Sequence, residues 1–312
     1  MGVLLAIITY FAYIFIVTMY TIKVVKFLTL PVHIRWDLYP VIHEPNYRYG
    51  GSYFEEPEWW TKSRKRHRLR GFLYLLKDNF YLGDYYVKNR SYWFALYPWH
   101  AGFILIISFH IFCFLAAVTM VLGLDVAASS ASAFGRAAYY VILVTGVASF
   151  ILGAFGSIGL FIQRLSDPAL RMYSTFLNYF NYSFFLVVFL SGLYSWYFED
   201  PAFAEYREYW KSLVTLHVPV VQAASAVHIL LFALFLIYLP FTKSMHYISR
   251  FLAFFRIRWD DEPNVRGGRM EKELQKLLSQ KVTWGAPHIQ SGSTWARVAT
   301  EVPESGKGEA KK

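Results

Sequence analysis

Cysteine is almost absent from this sequence, with a single residue, Cys113, in a chain of 312. One thiol excludes an internal disulfide, a cysteine-ligated iron–sulfur cluster and a CxxCH site for covalent haem. Any redox centre held by this chain must therefore use other side chains as ligands, or the redox chemistry belongs to partner proteins.

Acidic residues are absent from five long apolar runs. The chain is 56% apolar and 20% aromatic, whereas soluble domains are about 45–50% apolar. Each run is long enough to cross ~30 Å of hydrocarbon as a helix. We therefore expect an all-α integral membrane protein, a bundle of five transmembrane helices. The runs cover 3–28, 97–123, 137–163, 173–198 and 213–241.

Basic residues lie almost entirely on one side of the predicted helices. Of the 31 Lys and Arg, 13 lie from Lys23 to Arg90, 13 follow residue 241, and Arg164 and Arg171 lie between the third and fourth helices. The positive-inside rule then places the N-terminus outside and the C-terminus inside. Because this charge lies beside helix ends, topology explains the net charge of +10 better than nucleic-acid binding does. The first run lacks a cleavage site, so we expect a retained helix.

Two inner-side segments are expected to meet a partner. Segment 31–95 is rich in Trp, Tyr, Pro and charge, which favours an ordered platform for a partner protein over an aromatic loop at the membrane interface. We divide the chain into a membrane domain, 1–245, and a cytoplasmic docking tail, 246–312, with an amphipathic extension and a short helix. A further short helix is expected on the outer side, in EDPAFAEYREYWK.

Five of the nine histidines lie in the second and fifth predicted helices, and no other predicted helix contains one. The five are His100, His110, His217, His228 and His246. An ionisable side chain at membrane depth indicates a function, although a lone histidine could simply hydrogen-bond a neighbouring helix. Their confinement to two helices favours a shared cofactor. The other histidines are His33, His43, His67 and His288.

The histidine spacing predicts two cofactor sites. His100 and His110 rise ~15 Å apart, and their azimuths differ by ~80°, so they serve different sites. Because the second and fifth helices run antiparallel, His110 comes level with His228, and His100 and His246 both fall near the inner end. This arrangement is typical of two bis-histidine b-type haems, one in each leaflet.

The predicted inner pair fits less closely than the outer pair. His228 and His246 are 18 residues apart, which is ~27 Å on a straight helix. The inner site therefore requires tilt, bending or unwinding, for which Pro240 is a cause. His33 is the alternative ligand for the inner site.

Cationic and small residues near the third helix suit a haem protein. Arg164 and Arg171 lie at the inner ends of the third and fourth helices, where they could pair with the propionates of the inner haem. Gly153, Gly156 and Gly159 lie along one stretch of the third helix. They indicate either close helix packing or room for a macrocycle.

The histidine gaps and one loop motif together match a known pattern. The gaps are ten residues from His100 to His110 and 18 from His228 to His246, and the motif is IQRLSDPALRMYST. The sequence here resembles the respiratory nitrate reductase gamma-subunit family, five-helix dihaem cytochromes b of the prokaryotic cytoplasmic membrane. The resemblance implies an outer haem b on His110 and His228 and an inner haem b on His100 and His246.

Three further motifs resemble one branch of that family. They are HIRWDLYPVIHE, YGGSYFEEPEWWTK and KVTWGAPHIQSGSTWARVATE. The branch comprises cytochrome b subunits of the membrane redox complexes of sulfate reducers and their relatives. Those subunits accompany a heterodisulfide-reductase-like iron–sulfur protein, often with a periplasmic multihaem cytochrome c. The resemblance therefore implies an inner-side iron–sulfur partner.

The resemblance also implies a menaquinone site beside the outer haem. The family has a cationic residue near the start of the third helix, where this chain has Arg136. Phe109 stands where the family has a small glycine, which puts the shape and presence of the pocket in question. His217 is a second candidate for quinone hydrogen bonding or proton release, since imidazole titrates near neutrality. Alternatively, it is an interface histidine that caps the fifth helix.

Two other functions were weighed against electron transfer between menaquinone and an iron–sulfur partner. A proton-coupled transporter with a histidine relay predicts broken helices, internal repeats and carboxylates at midplane, and the sequence shows none of these. A haem-free membrane anchor of a redox complex leaves the cross-helix pairing of histidines as a coincidence.

Overall fold

The computed structural model describes residues 2–29, 57–58, 68–257, 266–286 and 291–301. Over these ranges the chain is helical apart from turns and one isolated β-bridge, between Lys281 and Thr294. The α-helices of the described chain are α1 (Gly2–Thr29), α2 (Arg68–Tyr81), α3 (Gly83–Lys88), α4 (Arg90–Val121), α5 (Ala133–Ser166), α6 (Pro168–Met172), α7 (Phe176–Phe198), α8 (Ala204–Val214), α9 (Ala223–Tyr238), α10 (His246–Ile257), α11 (Arg269–Leu278) and α12 (Trp295–Thr300).

Five of these helices are long and apolar enough to cross a membrane: α1, α4, α5, α7 and α9 with its 3-10 extension to Phe241. The predicted five-helix membrane protein is confirmed at this level. Large apolar side chains cover the outer faces of these helices, as Leu4 (63% exposed) and Ile14 (66%) do on α1. Such a surface suits contact with lipid, because exposed apolar patches of this extent are rare on soluble monomers.

The fifth membrane helix begins at Ala223, so the predicted start at residue 213 is wrong. Residues 215–222 form an irregular connection, in which Leu216 has a φ of 58°. Pro219 and the β-branched valines beside it disfavour a helix at this point. His217 therefore lies outside the fifth helix, contrary to its predicted place.

The short helix predicted in EDPAFAEYREYWK is confirmed as α8, and its sequence explains how it packs. Tyr206, Tyr209, Trp210 and Leu213 recur at helical spacing, and all four are buried. The Tyr209 hydroxyl lies 2.7 Å from Thr9 Oγ1 on α1. This apolar face therefore packs α8 against the bundle instead of leaving it in solvent.

The membrane helices pack in sequence, α4 on α5, α5 on α7 and α7 on α9, while α4 also contacts α8. α4 and α9, which carry the buried histidines, are not among these closely packed pairs. Glycines let α4 and α5 approach closely: a Cβ on Gly102 would clash with the backbone of Gly153, and one on Gly156 with the backbone of Trp99. Close helix packing thus accounts for these glycines.

The end of the fifth membrane helix is unwound, as predicted at Pro240. α9 ends at Tyr238 and is followed by 3-10 turns at Leu239–Phe241 and Lys243–Met245. Proline lacks the N–H that would continue the helix. The hydroxyl of Ser244 donates to the carbonyl of Leu239 at 2.7 Å, which also accepts from the N–H of Thr242. The chain resumes as α10 at His246.

The chain forms two compact units. The first comprises Met1–Thr21 and Leu76–Met245, and the second comprises Ile22–Leu75 and His246–Lys312. The first contains the membrane helices from α4 to α9 with most of α1. In the second, Phe72 of α2 contacts Phe251 of α10 edge to face, at 6.4 Å between centroids.

The predicted docking regions are described in part. The short helix expected in MEKELQKLLSQ is confirmed as α11, and the amphipathic extension is helical as α10. Segment 31–95 contains α2, α3 and the start of α4. Its motifs at 33–44 and 49–62, apart from residues 57–58, lie outside the described residues, as do His33, His43, His67, His288 and the last eleven residues.

We predict that Gly156→Ala destabilises the bundle. The added methyl group would meet the backbone of Trp99, which cannot turn aside as a side chain can. Overpacking of this kind costs about 1–3 kcal/mol. We expect a lower thermal unfolding midpoint in detergent, whereas Ala137→Val, at an exposed position of α5, should leave the midpoint unchanged. Equal midpoints for both variants would contradict the close packing of α4 and α5.

Candidate functional site

His110 and His228 lie side by side within the membrane bundle. His110 is on α4 and is 4% exposed, and His228 is on α9 and is fully buried. Their ring centroids are 6.1 Å apart, with 40° between the ring planes. The structure thus brings together the two residues that the sequence places at the same level of the membrane.

The hydrogen bonds of both imidazoles define which nitrogen carries the proton. His110 Nδ1 lies 2.8 Å from the carbonyl oxygen of Ile106, which can only accept, so Nδ1 is protonated. His228 Nδ1 lies 2.9 Å from Ser191 Oγ, whose own proton goes to the carbonyl of Val188 at 2.8 Å. His228 Nδ1 therefore also donates. In both residues Nε2 is left as the basic nitrogen with its lone pair available.

Aromatic side chains from α4, α8 and α9 surround the two imidazoles. Phe232 lies flat on His110, at 3.5 Å between centroids, and Phe109 packs edge-on to the same ring. The Tyr206 hydroxyl is 3.5 Å from His110 Nε2, at the limit of hydrogen-bond distance. A small cavity beside His110 is lined by Tyr206, Tyr209 and Thr9, among others. The site is apolar with a few hydroxyl groups.

Haem b, the cofactor that the resemblance implies, needs two imidazoles whose Nε2 atoms can face one iron. His228 Nε2 is buried and has no hydrogen-bond partner, as a nitrogen reserved for a metal would be. The ring centroids are 6.1 Å apart, which is close enough for both imidazoles to bind one metal ion. The donor set fits the group. Phe232, on the face of His110, has to turn aside to admit a macrocycle.

The described residues contain no cluster of three or more His, Cys, Asp or Glu side chains that could hold a metal ion. A site made of protein ligands alone is therefore not present in this part of the chain. A bis-histidine haem needs only two protein ligands, because the macrocycle supplies the other four. The pair at His110 and His228 is consistent with that requirement.

Two buried charged residues that the sequence pattern does not predict, Asp200 before α8 and Arg207 on it, lie beside Tyr206 in the chain. Asp200 and Arg207 are each 5% exposed. Burial raises the pKa of the Asp200 carboxyl, although N–H groups of Tyr206 and Ala204 donate to it. Burial likewise lowers the pKa of Arg207, whose Nη1 donates to the carbonyl of Ala202. The helical spacing of apolar residues in α8 was the available signal that this helix is packed against the bundle.

The two predicted quinone residues form hydrogen bonds with residues close to them in sequence. Arg136 is exposed and donates to the carbonyls of Ser130 and Ala131 at 2.6 and 3.1 Å. His217 is also exposed, and its Nδ1 lies 2.9 Å from Thr215 Oγ1. The structure therefore gives neither residue a contact with the buried histidine pair, and their roles stay predictions.

Phe109 is accommodated by a glycine on the neighbouring helix. Its ring is fully buried and lies 4.7 Å from that of Phe203. A Cβ on Gly146 of α5 would clash with both rings. The large side chain before His110 thus fills space that the missing side chain of Gly146 leaves open.

Of the predicted inner site, the first unit contains His100 and Arg164. His100 is half-buried, and its Nδ1 donates to the carbonyl of Leu96 at 2.9 Å. Arg164 donates to Tyr182 Oη at 3.1 Å and to Ser174 Oγ at 2.8 Å, and the Tyr182 ring contacts that of Trp99, beside His100.

Of the other predicted inner residues, Arg171 is linked to Arg164 through Ser174, whose N–H donates to the Arg171 carbonyl at 3.1 Å. Arg171 is exposed on α6. His246 belongs to the second unit, and His33 lies outside the described residues. The pairing of His100 with either histidine stays a prediction.

Comparison with protein families gives one match. Residues 85–260 match the family described as nitrate reductase gamma subunit, and this range is more than half of the chain and contains the four histidines that are predicted to bind haem. Comparison with curated proteins and with solved structures finds no match. Members of the family are generally haem b-binding cytochromes that associate with other redox subunits. The chain therefore belongs to the nitrate reductase gamma-subunit family and is a multi-pass membrane subunit of the cytochrome b type.

Proposed function

We propose that this chain binds two haem b groups and carries electrons across the prokaryotic cytoplasmic membrane, between menaquinone on the outer side and an iron–sulfur protein on the inner side. His110 and His228 hold the outer haem, and His100 and His246 hold the inner one. The buried pair carries this proposal, because His228 Nε2 has no partner in the bundle. An unsatisfied polar atom in an apolar interior is costly, and coordination to iron removes that cost.

The residues of the outer site position the cofactor and influence its reduction potential. Haem b, when bound, supplies reversible one-electron oxidation and reduction. His110 and His228 present Nε2, and their Nδ1–H bonds hold each ring in one tautomer. The aromatic side chains around them, with α8 packed across one end, exclude water. A dry, apolar environment is one of the factors that set the reduction potential of a buried redox group.

The residues beside His110 support a quinone site at the α8 end of the bundle. Tyr206 and Tyr209 present hydroxyl groups to the cavity there. Burial raises the pKa of Tyr206 well above its ordinary value and that of Tyr209 to about 12. Both hydroxyls therefore stay protonated and can donate to a quinone carbonyl. Arg136 and His217 remain further candidates for this role.

The inner-side partner is proposed from charge and from the loop motifs. The basic segments before α4 and after α9 are expected to face the cytoplasm and to dock a heterodisulfide-reductase-like iron–sulfur protein. Arg164 and Arg171 are proposed to pair with the propionates of the inner haem. A periplasmic multihaem cytochrome c is a further proposed partner on the outer side.

We predict two haem b groups in each purified chain, seen as a reduced-minus-oxidised b-type spectrum and counted by haem extraction. His110→Ala and His228→Ala should each lose the same haem, and His100→Ala and His246→Ala should each lose the other, because each iron needs both imidazoles. His217→Ala is the matched control, since this histidine is exposed outside the helices, and it should keep both haems.

Three outcomes would revise this assignment. A purified chain without a b-type spectrum would favour the haem-free anchor. Retention of both haems after loss of His228 would rule out the outer pair. Retention of both haems after loss of His246 would indicate His33 as the ligand of the inner haem.

We predict an outward N-terminus from cysteine labelling. The single native thiol, Cys113, is fully buried, so a new exposed cysteine should report its own side of the membrane. In intact cells, a membrane-impermeant maleimide should label Ser129→Cys, between α4 and α5, but not Tyr173→Cys, after α6. Tyr173→Cys should become labelled once the membrane is opened. The reverse pattern would invert the proposed topology.

We predict that Tyr206→Phe slows reduction of the outer haem by a soluble menaquinol analogue. Loss of one hydrogen-bond donor, at about 0.5–1.5 kcal/mol, should lower the rate by about two- to tenfold while both haems stay bound. Tyr197→Phe, on the exposed face of α7, is the control and should react at the normal rate. An unchanged rate in stopped-flow measurements would remove Tyr206 from the quinone site.

A further inference from the structure

Ser191 of α7 is the partner that orients His228. Its Oγ donates to the carbonyl of Val188 at 2.8 Å, within its own helix, and lies 2.9 Å from His228 Nδ1. With that proton on the Val188 carbonyl, the Oγ accepts from His228 Nδ1. A continuous hydrogen-bonded chain therefore runs from the imidazole through the Ser191 hydroxyl to the backbone of α7.

The contacts around Ser191 hold the imidazole ring in one position. A Cβ on Gly192, the next residue, would clash with His228 Cε1, so α7 lies directly against that atom. Phe150 of α5 meets the ring edge to face, at 5.2 Å and 83°. Ser191 thus binds the ring at Nδ1, while its neighbours restrict rotation.

This arrangement differs from that of the histidines on α4. His100 and His110 each donate Nδ1–H to the carbonyl four residues earlier in α4, at Leu96 and Ile106. A backbone carbonyl is present at these positions whichever residue occupies them, so a substitution does not remove it. His228 instead has a side chain from another helix, Ser191, at Nδ1, together with the backbone carbonyl of Val188 in that helix. The basicity of His228 is therefore open to change by one substitution.

We propose that Ser191 is a positioning residue that strengthens His228 as an iron ligand and thereby lowers the reduction potential of the haem held by His110 and His228. The proposal rests on the function proposed above. An acceptor at Nδ1–H raises the electron density at Nε2, and a more basic ligand stabilises ferric over ferrous iron. Removing the acceptor should therefore raise the potential of this haem and leave the other haem unchanged.

The test is a redox titration of the purified chain, followed by its b-type spectrum, with electron paramagnetic resonance of the ferric state. Ser191→Ala should raise the potential of one haem, the one that His110→Ala removes. A tenfold change in relative ferric affinity, a typical size for loss of such a partner, corresponds to about 59 mV for one electron. The ferric resonance of the same haem should shift, because the ring loses its orienting bond. Ser191→Thr keeps the hydroxyl and should retain the normal potential.

Ser195→Ala is the matched control. Ser195 is a buried serine one turn further along α7, and its hydroxyl pairs with Ser225 Oγ at 2.9 Å, not with a histidine. Its loss should leave both potentials unchanged. If Ser191→Ala does not assemble, Ser191→Cys, a weaker acceptor of similar shape, should give a smaller shift in the same direction.

The outcomes separate this inference from the proposed function. Normal potentials and resonances in Ser191→Ala or, failing that variant, in Ser191→Cys, with both haems bound, would overturn the role of Ser191 and leave the haem assignment standing. An equal shift in Ser195→Ala would also overturn it, since the effect would then be one of packing. Absence of haem from the unsubstituted chain would instead overturn the proposed function.

Discussion

The need to satisfy buried imidazoles in an apolar bundle governs the centre of this structure. Each ring has two nitrogens, and the fold provides one fixed partner for each Nδ1: a backbone carbonyl for His110 and a hydroxyl for His228. Leaving His228 Nε2 without a partner is unfavourable for the protein alone. A fold that specifies one nitrogen so closely and leaves the other bare is arranged for a ligand at the bare nitrogen. The proposed haem would be that ligand, and its binding would contribute to the stability of the bundle.

Hydrogen bonds at the α8 end of the bundle hold His110 and His228 at the same level. The carboxylate of Glu199 accepts from the backbone N–H groups of Ala224 and Ser225 at 3.0 and 2.9 Å, at the first turn of α9. A carboxylate there satisfies donors that the helix leaves unpaired and favours its dipole. Because His228 lies one turn further along, this contact fixes its height against α7. Asp200 does the same for α8, through the N–H groups of Ala204 and Tyr206.

The sequence was sufficient for the helices and the buried pair, but not for contacts that depend on helix rotation. Hydropathy and antiparallel order predict which residues share a level, and His110 and His228 do. They do not predict which face of α7 turns towards α9, so they do not identify Ser191 as a partner of His228. They also do not predict the rotation of α8, so they do not place Tyr206 beside His110. The start of the fifth helix was misplaced because hydropathy cannot distinguish an apolar loop from an apolar helix. Pro219 was the local signal against a helix there.

The break after α9 removes the difficulty that spacing raised for the inner site. On a straight helix, 18 residues rise ~27 Å, which does not match the ~15 Å between His100 and His110. In the structure α9 ends at Tyr238, and Leu239–Met245 passes through two 3-10 turns before α10 begins at His246. Helical rise therefore does not set the height of His246. Of the residues in the two proposed ligand pairs, His100, His110 and His228 belong to the first unit and His246 to the second.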